Sequence, residues 1–593
     1  MLHPFSKRPH IYHRKGSVLM RKLLSLLPQK HRWISLLTIL FAIGEVLMET
    51  MMPKVIADIL NQGIEKQDMS YTLLSGGRLV LMAIFSLVFG VLAAQTSSVA
   101  SMGFAKELRK ALFHRAQDFS FSNIDRLGTS SLITRMTNDV SHVQMAFMTT
   151  MRVMLRAPFM LIFATIMAFS INHTLSGVFL CIIPVLSVFL FYVLKNARPR
   201  FKKMLKTFDK LNARIQENLI GIRVVKAFAR DDWENEHFDN TADEVRNAQI
   251  HAERLMILNG PFMQLMIYLC IILILWFGGK MIVFGNMLPG DLTSFLIYVN
   301  QILVSLSMVA AGFNFLVISR ASVNRINEVL EEIPDIPDSV EEDSSVQDGS
   351  IQFRDVSFSY AGNMDNCVLS HINLDIQSGE TVGIIGGTGS AKSSLVQLIP
   401  RLYEVTNGQV LVGGKDVREY RHSTLREQVA MVLQKNVLFT GTILENLRWG
   451  NQEATEEEII AACKAAQAHD FITDFPNGYQ TVLGQGGVNV SGGQKQRLCI
   501  ARALLKKPKI VILDDSTSAV DTATDSKIRE AFQRELSNTT TLIIAQRISS
   551  IMDADKIVVL EQGQINAVGT HDQLLETCEI YREVYESQKK GVA

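Results

Sequence analysis

The sequence has few cysteines and almost no net charge, and these two scarcities exclude several classes of protein. Its 593 residues include six cysteines, which are scattered and form no CxxC pair. Such spacing argues against a disulfide framework or a zinc motif and suits a reducing compartment. Lysine and arginine number 59 and aspartate and glutamate 58. The bulk basic character that indicates nucleic-acid binding is therefore lacking.

The N-terminus is also not expected to be a cleaved signal peptide. It is basic up to Arg32 and has neither a short apolar core nor a small-residue cleavage site. Met20–Leu27 is predicted as a short amphipathic helix on the inner membrane surface, within a cytosolic segment over residues 1–32. Hydrophobic residues, by contrast, make up 48% of the chain, and the mean hydropathy of +0.17 is high for a soluble protein. We therefore expect a membrane component.

Residues 33–330 are predicted to form an α-helical transmembrane domain. A span needs about 20 apolar residues, and six segments qualify: Trp33–Ile56, Leu79–Met102, Val153–Ser170, Ser176–Leu194, Ile257–Phe277 and Leu292–Ile318. Two long intervening stretches, 103–152 and 195–254, are helical in pattern and rich in lysine and arginine. The positive-inside rule places them and both termini in the cytoplasm. The pattern favours six helices with long cytosolic extensions in a plasma membrane, and the lack of targeting signals favours a bacterial one.

The second half of the chain changes character at residues 331–350, a linker rich in proline, aspartate, glutamate and serine. Residues 351–593 then alternate short β-branched runs with helical stretches, which predicts a parallel α/β sheet. The expected strands include Thr381–Ile385, Gln409–Val412, Val429–Leu433, Lys509–Leu513, Thr541–Ala545 and Lys556–Leu560.

A glycine-rich loop follows the first of these strands and opens a helix. In such a loop, backbone amides and a lysine bind phosphates and a hydroxyl binds Mg²⁺. The predicted ATP-binding residues of the loop are Gly386, Gly387, Thr388, Gly389, Ser390, Ala391, Lys392, Ser393 and Ser394. Ala391 stands where the P-loop pattern has glycine. About 120 residues later, a buried strand ends at Asp514, which is predicted to hold Mg²⁺ together with Ser393.

Between these motifs lies a Ser-Gly-Gly-Gln sequence, and here the chain resembles the ATP-binding-cassette (ABC) exporters. The resemblance covers roughly residues 20 to 590 and implies a RecA-like P-loop domain and ATP hydrolysis coupled to transport. It implies that the signature residues reach ATP held by the opposite domain: Ser491, Gly492, Gly493 and Gln494. It also implies an adenine-stacking Tyr360, a Q-loop Gln434 that senses Mg²⁺, a D-loop with Asp521, and coupling loops at Asn123–Gln144 and Glu217–Phe228.

The sequence departs from that family at the two positions that act on water. The residue after the magnesium aspartate is Asp515, where active members have glutamate, and Gln546 replaces the switch histidine. Aspartate is shorter by one methylene, about 1.5 Å, and a misplacement of about 1 Å can cost on the order of a hundredfold in rate. Glutamine donates a hydrogen bond but carries no charge. Both residues are expected to be impaired catalytically.

Two such departures would damage both sites of a homodimer. The resemblance therefore favours the degenerate subunit of a bacterial heterodimeric multidrug exporter. In that reading a second half-transporter carries the consensus glutamate and histidine, and this chain completes its site with the intact signature. A homodimer of reduced activity is the alternative.

The transported molecule is predicted from acids in the first span. Glu45 and Glu49 lie at i and i+4, on one helical face. Charges inside spans usually face a cavity, so this pair predicts a path for amphipathic, cationic drugs. A structural role for both acids is equally compatible with the spacing. A lipid or glycolipid flippase of the same fold and an ATP-binding regulatory subunit are the remaining alternatives.

Overall fold

The computed structural model describes residues 23–338, 345–515, 522–535 and 538–590. The chain divides into two compact units. The first contains Met1–Gln117 and Thr129–Glu332, and the second contains Asp118–Gly128 and Ile333–Ala593. Most of the predicted cytosolic N-terminus, residues 1–22, lies outside the described residues, as do residues 339–344 of the predicted linker.

The first unit is entirely helical over its described residues. Short π-helical turns at Ile59–Ile64, Arg135–Asp139 and Thr150–Met154 interrupt it. Its helices are α1 (Gln29–Asp58), α2 (Met69–Gln117), α4 (Thr129–Thr134), α5 (Val140–Thr149), α6 (Arg156–Ile171), α7 (His173–Ala227), α8 (Asp231–Ile257), α9 (Asn259–Val283) and α10 (Pro289–Glu331), while α3 (Phe121–Leu127) belongs to the second unit.

Local sequence signals explain where these helices begin. Asn172 forms the predicted turn between α6 and α7, and its side chain accepts hydrogen bonds from the backbone amides of Thr174 and Leu175. Pro289 occupies the first turn of α10, where its missing N–H costs nothing. The helices then pack around a buried cluster that includes Ile274 and Tyr298.

Five of the predicted spans lie in helices that are long and apolar enough to cross a membrane. Four fall within Gln29–Ile64, Met69–Gln117, Thr129–Ile171 and Asp231–Val283, and the predicted span Leu292–Ile318 overlaps Pro289–Val309 over its first part. The fourth predicted span, Ser176–Leu194, lies in α7, where several side chains fall outside the described residues. The count of six spans stays a prediction. The chain is nevertheless a multi-pass membrane protein.

The second unit contains the α/β domain that the alternating pattern predicts. Its strands are β1 (Ile351–Phe358), β2 (Leu369–Ile376), β3 (Thr381–Gly386), β4 (Asn407–Val412), β5 (Lys415–Asp416), β6 (Val429–Val432), β7 (Gly441–Thr442), β8 (Val482–Leu483), β9 (Ile510–Asp514), β10 (Thr540–Ile544), β11 (Lys556–Glu561) and β12 (Gln564–Gly569). The predicted strands agree with these to within two residues at each end.

The strands form one large sheet and two smaller ones. The large sheet has the order β12-β11-β3-β10-β9-β6, and its strands are parallel except for β12. An antiparallel sheet has the order β2-β1-β4-β5. Because β3 and β9 both run parallel to β10, which lies between them, the loops that follow β3 and β9 lie at the same edge of the sheet. In parallel sheets this carboxyl edge is where ligands bind.

Helices cover the sheets and close three hydrophobic clusters among the described residues: one around β3 and β4, one around the helix that carries the signature, and one between β11 and the last two helices. The helices are α11 (Lys392–Gln397), α12 (His422–Gln428), α13 (Ile443–Leu447), α14 (Glu456–Ala465), α15 (His469–Thr473), α16 (Gly492–Leu505), α17 (Thr522–Glu535), α18 (His571–Thr577) and α19 (Glu579–Lys590).

Candidate functional site

The glycine-rich loop between β3 and α11 leaves no room for a side chain at Gly386. A Cβ on Gly386 would lie 2.2 Å from the carbonyl oxygen of Leu560 and 2.6 Å from the Ser390 Oγ. Gly389 adopts a left-handed conformation with φ of +86°, which glycine reaches without steric cost. Successive amides in such a turn form a concave site for phosphate.

Ala391 adopts a left-handed backbone conformation that glycine reaches more easily. Its φ and ψ are 71° and 23°, in the left-handed region, directly before α11. Alanine pays roughly 1–2 kcal/mol for this conformation. The substitution therefore strains the loop and preserves its shape.

Lys392 folds back over the loop. Its Nζ donates hydrogen bonds to the carbonyl oxygens of Gly386 (2.8 Å) and Gly387 (2.9 Å). Burial lowers the pKa of Lys392, while the negative charges of Asp515 and Asp514 oppose that shift. The ammonium thus stands at the loop, where phosphate oxygens can replace the carbonyl acceptors.

The residues predicted to hold magnesium are brought together. The Ser393 Oγ donates to the Asp514 Oδ1 over 2.9 Å, and the Gln434 side chain lies at the same edge of the sheet, within 3.4 Å of Asp515. Burial raises the pKa of Asp514 above its usual value, and the hydrogen bond from Ser393 opposes only part of that shift. Hydroxyl and carboxylate oxygens are ligands that Mg²⁺ prefers, so the donor set fits this ion.

The two substituted catalytic positions contact each other. The Gln546 Nε2 donates a 2.8 Å hydrogen bond to the Asp515 Oδ2, and the Gln434 Nε2 approaches the same oxygen at 3.4 Å. Asp515 is 9% exposed and has a left-handed backbone with φ of +49°. One carboxylate oxygen is therefore engaged by two amides, and the switch position beside it carries an amide in place of an imidazole.

The C-terminal helix α19 supports Gln546, a feature that sequence reasoning missed. The Gln588 Nε2 donates to the backbone carbonyl of Gln546 over 2.8 Å. Its Oε1 accepts from the Ile548 amide over 2.9 Å. Gln588 lies 42 residues beyond Gln546, and no local motif marks it. These two bonds hold the loop that carries the switch position.

Tyr360, predicted to stack on adenine, follows β1 and is 52% exposed. Its hydroxyl is hydrogen-bonded to the Ser394 Oγ at 2.9 Å, which ties the ring to the glycine-rich loop. Tyr403 packs edge-on against it with ring centroids 5.1 Å apart, and the Tyr403 hydroxyl donates to Asp125 over 2.7 Å. Sequence reasoning missed Tyr403 because its partners are distant in the chain.

The signature residues begin α16 and contact one another. The Ser491 Oγ accepts from the Gln494 amide at 3.3 Å, and the Gln494 Oε1 accepts from the Ser491 amide at 2.9 Å. Ser491 and Gly492 are both exposed. The start of this 14-residue helix is thus presented to solvent. The predicted D-loop residue Asp521 lies outside the described residues.

In the membrane unit, Glu45 and Glu49 have a partner that the sequence analysis did not assign. One guanidinium nitrogen of Arg156, Nη2, lies 2.7 Å from both Glu49 carboxylate oxygens and 3.5 Å from the Glu45 Oε1. The ion pair is compatible with the structural role that the spacing left open, and the path for cationic drugs stays a prediction. The available signal was an arginine inside the predicted span Val153–Ser170.

Comparisons with known proteins agree with both units. A family model described as the ABC transporter transmembrane region matches residues 35–306, and one described as ABC transporter matches residues 369–518. The uncharacterized ABC transporter ATP-binding protein YfiB of Bacillus subtilis is 39% identical over 96% of this chain and 98% of its own length.

Two further comparisons concern a lipid transporter and a solved fold. An ATP-dependent lipid A-core flippase of Syntrophus aciditrophicus is 34% identical over 82% of this chain and 80% of its own length. The structure of a bacterial Atm1-family ABC exporter with ATP bound superposes with a TM-score of 0.78. It covers 97% of this chain and 99% of its own at 23% identity, so this likeness concerns the fold.

The position of Tyr360 predicts its effect on nucleotide binding. Tyr360→Ala should raise the Kd for ATP about tenfold, since aromatic stacking on a base is worth about 1–3 kcal/mol. Calorimetric titration of the purified chain with ATP measures this. Tyr360→Phe is the control: it keeps the ring, loses only the bond to Ser394, and should stay within about threefold of the original Kd. An unchanged Kd in Tyr360→Ala would contradict the role.

Proposed function

This chain belongs to the ABC transporters, as an exporter and transport ATPase with its membrane region and ATP-binding domain in one polypeptide, and on that premise we propose that it acts as one half of a heterodimer. In this proposal its own nucleotide site binds ATP and Mg²⁺ and turns ATP over slowly. Its signature completes the competent site of the partner. The hydrogen bond from Gln546 to Asp515 is the observation that carries the proposal.

The slow site follows from what each side chain can do with a proton. A water that attacks the γ-phosphate must be oriented and must lose a proton, and a carboxylate near it serves that role. Here the Asp515 carboxylate is short, and its Oδ2 accepts from Gln546 and Gln434. Gln546 has no titratable nitrogen. Water is therefore poorly oriented, and proton transfer is slow.

Binding is expected to survive because the groups that hold the nucleotide are retained. The loop amides and Lys392 bind the phosphates, Ser393 and Asp514 hold Mg²⁺, and Tyr360 stacks on the base. When bound, Mg²⁺ neutralises phosphate charge during phosphoryl transfer. An ATP held in this way stabilises the closed pair of ATP-binding domains without being consumed in each cycle.

A partner chain is supported by two surfaces. The exposed Ser491 and Gly492 offer a hydroxyl and a helix start, which suit a phosphate brought by another domain. Ile220 near the predicted cytosolic end of α7 is 78% exposed, and Phe228 directly after the helix is 73% exposed. Apolar side chains clustered at a helix end are typical of protein interfaces. We propose that a second half-transporter with a consensus glutamate and histidine covers both.

The proposed cargo is an amphipathic molecule carried across the plasma membrane, with both chain termini in the cytoplasm. Cationic drugs remain one candidate, on the strength of Glu45 and Glu49. Lipid transport is the second candidate, and a specific observation favours it: Arg156 already compensates the acids, so the site offers both signs of charge. The intact signature argues against a purely regulatory role.

Restoring both altered side chains should restore hydrolysis. The purified chain alone is expected to hydrolyse ATP slowly, and Asp515→Glu combined with Gln546→His should raise its rate on the order of a hundredfold. Each single substitution should give a small part of that gain, because the two groups act as a unit. Phosphate release measures the rates.

The control adds Lys392→Ala to the double variant and should abolish the gain, because the phosphates lose their cation. Rapid hydrolysis by the unmodified chain alone would contradict a slow site. A double variant that binds ATP yet stays slow would show that the two substitutions are not the cause.

The signature is expected to act on the partner's ATP. In the two-chain complex, Ser491→Ala should lower the ATPase rate on the order of a hundredfold, as for loss of one transition-state donor. The substitution also removes a helix cap, worth about 1 kcal/mol. Thr455→Ala is the matched control, because Thr455 caps α14 with the same reciprocal bonds. It should leave the rate within about twofold, and equal losses in both variants would indicate a purely structural effect.

A further inference from the structure

We propose that the cluster of Glu45, Glu49 and Arg156, with the cavity beside it, binds a zwitterionic headgroup that carries an anion and a primary or secondary ammonium. The inference rests on the proposed export of amphipathic molecules and names the chemistry of the cargo. In the bound state the anion of the ligand binds the Arg156 guanidinium, and its ammonium binds the carboxylates that Arg156 has released.

The cluster lies among three helices of the membrane unit. Glu45 and Glu49 come from α1, and Arg156 begins α6. The side chains of Arg156, Glu45 and Glu49 remain 25%, 17% and 26% exposed. Gly90 of α2 makes room for the first acid, because a Cβ there would lie 3.0 Å from the Glu45 Oε1. The ions are thus held in place and still accessible.

Arg156 also lines a cavity of about 160 Å³. Its other walls include the amides of Asn300 and Gln301 and the flexible apolar side chains of Met160 and Met308. Such a mixture suits a small polar group attached to an apolar body, and methionine adapts to different shapes. The size suits a headgroup, with the rest of the amphiphile outside.

Gln301 supplies an independent sign of a missing donor. Its Nε2 donates to the backbone carbonyl of Glu49 over 3.2 Å, which fixes the amide beside the ion cluster. Its Oε1 is buried and accepts no hydrogen bond from the described residues. Buried acceptors normally have a donor. An ammonium N–H placed between Gln301 and the acids would provide one.

The charge count favours a ligand of no net charge. The Arg156 Nη2 lies 2.7 Å from the Glu49 Oε2, so this ion pair is already neutral in itself. A lone cation or a lone anion would leave an uncompensated charge within the membrane unit, which is costly. A zwitterion replaces each internal partner with a group of the same sign. The ion pair then opens without changing the total charge.

Native mass spectrometry of the full-length chain in neutral detergent tests the proposal. Four probes are compared: dioctanoyl phosphatidylethanolamine, dioctanoyl phosphatidylglycerol, dodecylammonium and N-dodecyl-β-alanine. The first and last are zwitterions with an N–H donor, one a phospholipid and the other a single-chain amphiphile. At least one zwitterion should bind about tenfold more tightly than the anion and the cation, and which one does identifies the source of the headgroup.

The variant that tests the site removes one charge of each sign. Glu49→Gln with Arg156→Gln should abolish the zwitterion preference without leaving a new unpaired charge. The matched control is Arg214→Gln with Glu234→Gln, which removes an ion pair of 3.1 Å and similar exposure elsewhere in the same unit. It should leave all affinities within about twofold. Retained folding is checked by ATP binding.

Two results would overturn the inference. If dodecylammonium binds most tightly and the double variant loses this binding, the site binds cations and not zwitterions. Equal binding of all four probes would show that there is no headgroup site. ATP-driven transport by the two-chain complex is measured separately. Export without zwitterion preference would refute this inference alone, while specific binding without any export would refute the proposed function alone.

Discussion

A hydrogen bond joins Gln546 and Asp515, the two residues that depart from the family pattern at the positions that act on water. A carboxylate that is almost buried needs donors for its oxygens, because an unsatisfied buried charge is strongly destabilising. The shorter aspartate draws back from the position that a glutamate would occupy, and the Gln546 amide reaches it at 2.8 Å. Gln588 holds the backbone on the other side. Each of the two substituted side chains therefore provides a hydrogen-bond partner for the other.

The rest of the nucleotide site is consistent with that division between holding and reacting. Ala391 accepts a strained left-handed backbone, so the loop keeps its shape without glycine. Ser393 and Asp514 remain within hydrogen-bond distance, and the Ser491 cap is complete. The two departures proposed to slow hydrolysis, Asp515 and Gln546, stand at the positions that act on water in the family. A site that had merely decayed would be expected to lose its phosphate loop as well.

Local patterns predicted the glycine-rich loop, the parallel strands and the polar turn at Asn172, because each depends on residues close in sequence. The partners of the functional groups were missed because they depend on tertiary packing. Arg156 lies 107 residues from Glu49, and helical periodicity gives the face of the acids without naming the neighbouring helix. Gln588 reaches Gln546 from a helix with no motif of its own. Ion pairs across helices need the fold.

One physical rule connects the two units. An ionised side chain that already has an internal hydrogen-bond or ion-pair partner binds a ligand only when the ligand offers an equivalent partner in its place. In the proposed slow site, the Asp515 Oδ2 already accepts from two amides, and this makes it a weaker acceptor for a proton from water. A headgroup with both charges can replace both sides of the Glu49–Arg156 pair at once. On the two proposals made above, the same kind of contact slows hydrolysis in one unit and selects a ligand in the other.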